Sequence, residues 1–516
     1  MKKIVTPMNF IRGSEPRLPM DLLGTTKEQL KLTRKYGFKT TYLLQYDAFV
    51  KEEYQALFCP SDPLIEVGLW LELCQDLIEK VGLTWRGRYD WDYYLEVDNL
   101  LGYADEEKVL IIDEIFRAYK EVFGAYPKTV ASWLLDPFSL DYIVQKYGIV
   151  CHAICREQWG TDGNTLFGGY YNQAYYPSKN NILCPTDKKK GIPVPTFRLL
   201  GCDPIYQYDK QLTSTCGDVF TLEPVYWIDD KTGLPSPIGG HNRRWIDWYF
   251  DSLYRQNYGL AFAYAQVGQE NSFGWDRIKD GLIAQMDSLQ PLIERGEVEV
   301  MFMREAGEWF SATFDTSPPS TQVALEDYEG TKKSSVWYYC QNYRINLYAD
   351  EKGVRIRDAF LYDEGYKARY GGEKLLTTHD ATHDNLPIMN GLLWTKLPSY
   401  AGIYFCDEKG ERIALTDFLY EEKEGEGRAT LVHLGGEILV RFSEEEVAIT
   451  ATKPFALSYE YFGLQEDEKI AVMDEKTVAF EKRGYEYSLT LNKGKIVKGR
   501  VVSEEGEISC VLAKNK

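Results

Sequence analysis

The stretch TVASWLLDPFSLDYIVQKYGIVCHAICRE (residues 129–157) combines a short β-branched run, a helical segment that ends at Gly148, and an apolar run. This pattern predicts a strand–helix–strand unit, in which the helix returns the chain to the start of a parallel strand. Similar units recur from the N-terminus to about residue 310. Because seven or eight such units close most simply into a barrel, we predict an α/β fold built on a (β/α)7–8 barrel.

The sequence pattern changes after about residue 320. Alternating strands such as VRIRDAFLY and EVAITAT follow one another there, separated by charged turns. Such a series predicts an antiparallel β-sandwich, and a length of 516 residues is enough for two hydrophobic cores. We therefore predict a barrel over residues 1–315, a crossing segment rich in Pro, Ser and Thr over residues 316–335, and a C-terminal β-sandwich over residues 336–516.

The chain carries a formal net charge of −19, from 59 Lys and Arg against 78 Asp and Glu. This charge repels nucleic-acid phosphates and anionic membranes, so neither is an expected partner. The basic N-terminus is followed by too few apolar residues for a signal peptide, and no apolar run approaches the ~20 residues of a membrane helix. Ten cysteines without a CxxC pair are typical of free thiols in a reducing compartment. We expect a soluble, cytoplasmic protein.

Three carboxylates follow predicted strands and are candidates for catalysis. Asp136 closes WLLD, Glu270 follows AYAQVG, and Glu15 follows the first strand. Glycoside hydrolysis needs two carboxyl groups, one to protonate the leaving oxygen and one to attack the anomeric carbon or activate water. We predict that these residues serve as acid, base or nucleophile. The alternative is structural, because Asp136 before Pro137 is also a typical helix N-cap.

Arginines also follow the predicted strands or lie in the irregular segment from Trp85 to Tyr103. They are Arg12, Arg17, Arg86, Arg88, Arg156 and Arg198. Arginine suits bidentate capture of a carboxylate, so their position favours an anionic sugar such as a sialic or uronic acid. The competing explanation is that they neutralise nearby acidic side chains.

The predicted substrate site is completed by aromatic and polar side chains near the same strand ends. They are Trp91, Asp92, Trp159, Gln269 and Asn271, with the two tryptophans as pocket walls. No P-loop or dinucleotide motif occurs, and no cofactor is predicted. His379 and His383 have an i, i+4 spacing that suits a metal, but THDATHD is typical of a loop, so no metal is predicted either.

Two segments resemble the glycoside hydrolase/deacetylase superfamily of (β/α) barrels. IEVGLWLEL is similar to the deacetylase strand that carries a metal-binding histidine pair, and SWLLDPFSLDYIVQKYGI to a later strand, turn and helix. Trp70 stands where the first metal histidine of that pattern would be, no HxxxH follows, and IRGSEPR after the first strand lacks the paired aspartates. The resemblance implies the barrel fold, whereas these departures disfavour metal-dependent deacetylation.

Among glycosidases, the chain resembles the inverting sialidases of glycoside hydrolase family 156. The similarity lies in length, domain order, an acid just after the first strand, and arginines around the pocket. That family pairs an aspartate with a histidine at the catalytic centre. The resemblance implies that Glu15 matches the aspartate. The fourth predicted strand has no histidine, so Asp136 would take over that task.

These patterns predict a glycosidase that removes a terminal acidic sugar from a glycan. Two alternatives stay open. One is a carbohydrate deacetylase, or another metal-assisted enzyme, that recruits His379 and His383, and the other is a carbohydrate-binding protein without catalysis. Edge strands of the β-rich region allow pairing into a homodimer, although charged blocks such as EEKEGEGR are typical of strands that avoid such pairing.

Overall fold

The computed structural model describes residues 1–58, 61–161, 164–210, 212, 220–226, 239–377 and 384–512. It shows a mixed α/β chain, in which a parallel sheet forms the N-terminal part and antiparallel sheets form the C-terminal part. The predicted α/β class and the predicted order of the two parts are confirmed.

The parallel sheet is a nearly closed barrel of seven strands. In chain order they are β1 Lys2–Ile11, β2 Thr40–Leu44, β3 Ile65–Trp70, β4 Thr129–Ala131, β5 Cys151–Cys155, β6 Thr196–Leu199 and β7 Phe262–Val267. The spatial order is β6-β5-β4-β3-β2-β1-β7, and the short strand β8, Glu299–Val300, also pairs with β1. The seam of the barrel therefore lies between β6 and β7. Across it, Gln266 of β7 accepts a hydrogen bond from the N–H of Leu200 at 2.8 Å.

Helices connect these strands. The longer ones are α1 Leu22–Tyr36, α2 Asp105–Phe123, α3 Pro137–Tyr147, α4 Arg243–Tyr254, α5 Trp275–Glu294 and α6 Met303–Thr313. Shorter helical turns are Tyr46–Phe49, Glu52–Gln55, Gln75–Lys80, Leu95–Asp98, Leu100–Gly102, Tyr206–Lys210 and Asn271–Phe273. Helix α3 ends at Gly148, whose left-handed φ of 65° is accessible to glycine without strain. Within the described residues, no helix combines the length and the apolar character needed to cross a membrane.

Side chains on the barrel strands alternate between the inside and the outside of the barrel. Phe10 of β1 and Trp70 of β3 belong to the interior hydrophobic cluster. Their neighbours Ile11 and Leu69 belong to a different cluster, which packs against the helices outside. The residues that follow β1 and β3 on the inner face therefore point into the barrel mouth, which we define as the carboxyl end of the seven strands.

Two antiparallel sheets follow the barrel. The first contains β9 Ser320–Ala324, β10 Ser334–Tyr339, β11 Tyr343–Asp350, β12 Gly353–Leu361, β13 Leu386–Asn390, β14 Gly402–Cys406, β19 Ala456–Glu460, β23 Lys495–Val497 and β24 Arg500–Val502. The second contains β15 Leu415–Lys423, β16 Glu426–His433, β17 Gly436–Phe442, β18 Glu446–Ala451, β20 Glu468–Val472, β21 Thr477–Lys482, β22 Tyr485–Lys493 and β25 Glu507–Val511. Both sheets supply residues to one hydrophobic cluster. Strand β9 lies inside the crossing segment predicted over residues 316–335, and the sandwich arrangement stays a prediction.

Arg344 on β11 joins the first antiparallel sheet to the barrel. Its guanidinium binds Asp358 of β12 through Nε and Nη2, at 2.9 and 2.7 Å, and also contacts Glu157 just after β5. All three side chains are fully buried. A buried charge that loses its partner has neither water nor a counter-charge, so this network should stabilise the contact between the two parts.

Replacing Arg344 with methionine leaves two buried carboxylates without their cation. We expect Arg344→Met to lower the free energy of unfolding by about 3–5 kcal/mol, measured by urea denaturation. Arg428→Met is the matched control, because Arg428 pairs with Glu426 at the surface and its loss should leave the free energy of unfolding nearly unchanged. Equal losses in the two variants would contradict the joining role of Arg344.

Candidate functional site

Two carboxylates share one guanidinium in the barrel mouth. Arg12, just after β1, donates through Nε and Nη2 to the two oxygens of Glu72, at 2.8 and 2.9 Å. Its Nη1 donates to Glu270 Oε1 at 3.1 Å and to the hydroxyl of Ser272 at 3.0 Å. Glu72 follows β3 and Glu270 follows β7. The ends of three strands are thus joined by one cation.

All of the charged groups in this cluster are nearly inaccessible to water. Arg12 is 3% exposed, Glu72 1% and Glu270 4%. Burial alone lowers the pKa of the Arg12 guanidinium, but the nearby carboxylates of Glu270, Glu72 and Glu15 outweigh it, so that the pKa is raised. Arg12 therefore stays charged and acts as a fixed anchor for the two carboxylates.

Three aromatic rings form the floor beneath this ion pair, and we call them the aromatic floor. Phe10 stacks on Trp70 with ring centroids 4.4 Å apart, and Trp133 packs edge-on against both, at 5.7 and 5.0 Å. Trp133 is partly exposed, whereas Phe10 and Trp70 are buried. The accessible ring of Trp133 offers an apolar face of the kind on which a sugar ring packs.

Gln45 also points into the mouth. It follows β2 two positions after Leu43, which belongs to the barrel interior, so alternation places both on the inner face. Gln45 is fully buried, and neither amide atom of its side chain has a hydrogen-bond partner among the described residues. A buried amide without partners is costly, so this side chain is suited to a hydroxyl of a bound ligand.

Trp91 lies between two arginines beside the mouth. Its ring is 4.1 Å from the guanidinium carbon of Arg12 and 4.9 Å from that of Arg17. Arg17 in turn binds both oxygens of Glu15, at 2.7 and 2.6 Å. Trp91 is 1% exposed, so it fills the space between these side chains. The predicted residues Arg12, Glu15, Arg17, Trp91 and Glu270 are thus brought together.

The predicted arginines at positions 86 and 88 hold their own segment together. Arg88 donates to both carboxylate oxygens of Asp92, at 2.9 and 2.6 Å. Arg86 donates to the backbone carbonyls of Glu96 and Gly102, at 2.6 and 2.8 Å. The Arg88–Asp92 pair fits the neutralisation alternative, whereas the bonds of Arg86 go to the backbone of its own segment.

Arg198 points away from the barrel interior, and Arg156 after β5 is paired with an acidic side chain. Phe197 and Leu199 of β6 face the barrel interior, so Arg198 between them points to the outer face. There its Nη1 donates to Gly168 O at 2.8 Å, and its Nε and Nη2 have no hydrogen-bond acceptor within the described ranges. Arg156 donates to the backbone carbonyl of Glu157 at 2.9 Å and pairs with Glu223 at 3.5 Å. Both arginines are buried.

The other predicted residues make hydrogen bonds that stabilise the fold, or they lie outside the residues that the structure describes. Asp136 caps α3, because its two oxygens accept from the N–H and hydroxyl of Ser139 at 3.0 and 2.6 Å, and Lys108 lies 3.3 Å away. Asn271 bonds the backbone of Arg12 in both directions, at 2.9 Å each. Gln269 is fully buried beside them and accepts from the N–H of Glu270 at 2.8 Å. The Trp159 side chain, His379 and His383 lie outside the described residues.

Two acidic residues of the mouth were missed by sequence reasoning. Glu72 stands two positions after Trp70, in the same LWLEL segment. Asp47 closes TTYLLQYD as Asp136 closes WLLD, and accepts from the N–H of Gly13 at 2.9 Å. Burial raises the pKa of Asp47 to about 6, against the opposing effects of that hydrogen bond and of nearby cations. The signal that selected Asp136, an acid at the end of a predicted strand, would have found Asp47 as well.

The superfamily pattern implies a metal near Trp70, and the side chains around it can be tested for that purpose. The indole of Trp70 offers no ligand to a metal, and the buried Arg12 cation, which binds Glu72 two positions beyond Trp70, repels a metal ion. In the part of the chain that the structure describes, no group of three or more His, Cys, Asp or Glu side chains is arranged to hold a metal ion. The described residues of the mouth do not fit a metal.

No family model and no curated protein sequence matches the chain. Among solved structures, a provisionally named glycoside hydrolase/deacetylase of Parabacteroides distasonis superposes with a TM-score of 0.50 and 13% identity, over 76% of this chain and 91% of that chain. A provisionally named polysaccharide deacetylase of Mycobacterium smegmatis gives 0.34 and 11%, over 60% of this chain and 90% of that chain. A family 57 branching enzyme of Thermococcus kodakaraensis gives 0.36 and 10%, over 60% of this chain and 72% of that chain. The first of these shows a shared fold.

The raised pKa of Asp47 should make the free energy of unfolding depend on pH. Its carboxyl binds a proton more tightly in the folded chain than in the unfolded chain, so its contribution to stability falls as the pH rises through about 4 to 6. Asparagine does not titrate, so Asp47→Asn removes the fall in stability with rising pH. Its side-chain oxygen still accepts a hydrogen bond from the N–H of Gly13. Relative to the wild type, the variant should gain up to about 3 kcal/mol in free energy of unfolding between pH 4 and pH 7. A pH-independent difference between the two proteins in urea denaturation would contradict it.

Proposed function

We propose that this chain is a carbohydrate-active hydrolase, with Glu72 and Glu270 as its working carboxylate pair. One observation carries the proposal: two buried carboxylates bind the same guanidinium at the carboxyl end of a parallel barrel, where Arg12 and Glu72 each follow a ring of the aromatic floor by two positions. Barrel enzymes place their active sites at this end of the strands. The name of the Parabacteroides distasonis protein, which joins glycoside hydrolase and deacetylase, is compatible with the same class of substrate.

Glycoside hydrolysis is the reaction that this pair suits best. One carboxyl group protonates the leaving oxygen, and the other attacks the anomeric carbon or activates water. Arg12 orients both groups, since it bonds Glu72 through two nitrogens and Glu270 through the third. Trp133 would pack against the sugar ring, and Gln45 would bond a sugar hydroxyl. Asp47, with a pKa of about 6, is suited to proton transfer near neutral pH.

The charge of the sugar needs separate support. Arg12, Arg17 and Arg88 are neutralised by carboxylates of the chain itself. Arg156 also pairs with a carboxylate, Glu223, and Arg198 keeps unbonded N–H groups among the described residues but points away from the barrel interior. The acidic sugar predicted from the arginines therefore has weaker support than hydrolysis itself, and the likeness to family 156 sialidases stays a prediction. We propose a substrate range that includes neutral glycosides.

A panel of chromogenic neutral glycosides, sialosides and uronides, each tested with and without a chelator, measures the activity. We expect chelator-resistant hydrolysis of at least one of them. Glu72→Gln and Glu270→Gln should each lower kcat/KM by about 100- to 10,000-fold, because each removes a proton-transferring or attacking group. Glutamine keeps an acceptor for Arg12, so circular dichroism should show an unchanged fold.

Glu66→Gln is the matched control for these variants. Glu66 is buried on the same strand as Trp70, but it lies at the opposite end of the barrel and bonds the hydroxyls of Thr41 and Thr129. Its replacement should leave kcat/KM unchanged.

Full activity in Glu72→Gln together with loss of activity in Asp136→Asn would contradict the proposed pair and restore Asp136 as the catalytic acid. Activity only on acetylated sugars, and only with metal, would favour the deacetylase alternative, and binding without turnover would favour the binding protein.

A further inference from the structure

A cleft lies where the segment after β6 meets the first antiparallel sheet. Its volume is about 740 Å³, within the roughly 300–1,000 Å³ of pockets that bind small ligands. One wall is the helical turn Tyr206–Lys210, and the other consists of residues on or next to β11, β12, β14 and β19. None of the described residues that line it belongs to the candidate site in the barrel mouth, so the cleft is a separate site.

Aromatic rings supply much of the apolar surface of the cleft. Tyr348 of β11 and Tyr400 before β14 lie with their ring centroids 5.3 and 5.1 Å from the guanidinium carbon of Arg355. Tyr400 is partly exposed, and Phe462, two positions after β19, is 39% exposed. An exposed ring in the wall of a cleft offers a flat apolar face, on which the C–H groups of a sugar ring can pack.

Two ion pairs lie in the same cleft. Arg355 of β12, which is 6% exposed, bonds Asp209 at 2.7 Å. Arg412, whose guanidinium lies 3.6 Å from the ring centroid of Tyr404, bonds Glu460 at 2.8 Å. Because each arginine already has a carboxylate partner, neither is a free cation for an anionic ligand.

The other charged side chains of the lining also have both signs. Asp350, at the end of β11, and Lys352, in the turn before β12, form no ion pair within the described ranges. Of the two further lysines among the described lining residues, Lys210 belongs to the helical turn and Lys333 donates to the hydroxyl of Tyr206 at 3.1 Å. A ligand of this cleft must therefore both donate and accept hydrogen bonds.

We propose that this cleft binds a neutral oligosaccharide, whose rings pack on Tyr400 and Phe462 and whose hydroxyls bond the charged side chains. A hydroxyl group donates and accepts, so a polyol can bond carboxylates and cations together. An anionic ligand would be repelled by the carboxylates, and an apolar ligand would leave the charged groups without water. The proposal does not rest on hydrolysis in the barrel mouth.

Isothermal titration calorimetry of the full chain tests the site with five neutral hexasaccharides: maltohexaose, cellohexaose, xylohexaose, mannohexaose and chitohexaose. The Glu72→Gln variant is used, so that the sugars are not cleaved in the mouth. At least one hexasaccharide should bind, and raising the salt concentration from about 50 to about 500 mM should change its affinity by less than about twofold, because the ligand carries no charge. Absence of binding by all five, or tighter and salt-sensitive binding of hexagalacturonate, would overturn the proposal.

One further substitution and a matched control locate the binding. In the Glu72→Gln background, Phe462→Ala should weaken the hexasaccharide about tenfold, because it removes an exposed ring from the cleft. Tyr461→Ala is the control, since Tyr461 is the adjacent residue and 40% exposed but lines a different, apolar cavity. It should bind like Glu72→Gln alone. Equal binding by the Phe462→Ala and Tyr461→Ala proteins would overturn the assignment to this cleft.

The hydrolase proposal has a different readout, because it is tested on the release of a chromophore from glycosides in the barrel mouth. Binding that depends on Phe462, in a chain that hydrolyses no glycoside, would support the cleft and contradict the hydrolase. Hydrolysis without such binding would contradict the cleft alone.

Discussion

The guanidinium of Arg12 is the cation around which the barrel mouth is assembled. It extends from the end of β1 to Glu72 after β3 and to Glu270 after β7. Because it is almost completely buried, water cannot solvate it, and it is stable only in the presence of carboxylates. The carboxylates depend on the cation for the same reason. Phe10 and Trp70 pack beneath the three groups and exclude water from below, which strengthens each electrostatic interaction.

This arrangement gives the mouth a different chemistry from that of a metal-binding histidine pair. A histidine pair would present open coordination positions to a divalent cation. Here the positive charge belongs to a planar guanidinium, which binds carboxylates through fixed N–H directions. Such a cation orients acids and bases without taking part in the bond changes. The described residues of the mouth are therefore suited to proton transfer and nucleophilic attack by carboxylates.

Local patterns predicted most of the fold. Strand β5 at CHAIC and helix α2 over Asp105–Phe123 match the sequence because an apolar run and a terminal glycine are local signals. The site was harder to predict, since it depends on which face of each strand points inward. Arg198 was assigned to the substrate, yet its neighbours Phe197 and Leu199 occupy the inner face. The sequence does not distinguish the inner face of a barrel strand from the outer face, because both faces of a parallel strand are apolar.

The roles of individual side chains were also difficult to predict from the sequence. Asp136 fitted both a catalytic acid and a helix cap in the sequence, and the bonds to Ser139 and Lys108 account for its carboxylate by local structure. Glu72 follows Trp70 in a segment where the superfamily pattern marks a histidine position and no acid. Its partner Arg12 is 60 residues away in the chain, and a long-range contact of this kind leaves no periodic trace.

The seam between β6 and β7 gives the barrel a property that a fully closed one lacks. Six strand pairs around the sheet are joined by ladders of backbone hydrogen bonds, while Gln266 reaches across the seam to Leu200 with one side-chain amide. Residues 173–175 also lie along this seam, because Gln173 donates to Phe262 O of β7 at 2.8 Å and Tyr175 exchanges backbone hydrogen bonds with Thr196 of β6. The barrel is thus closed at this point by side-chain and loop contacts in place of a strand ladder. Because Glu270 stands four residues beyond Gln266, any widening there moves the wall of the mouth on which it sits.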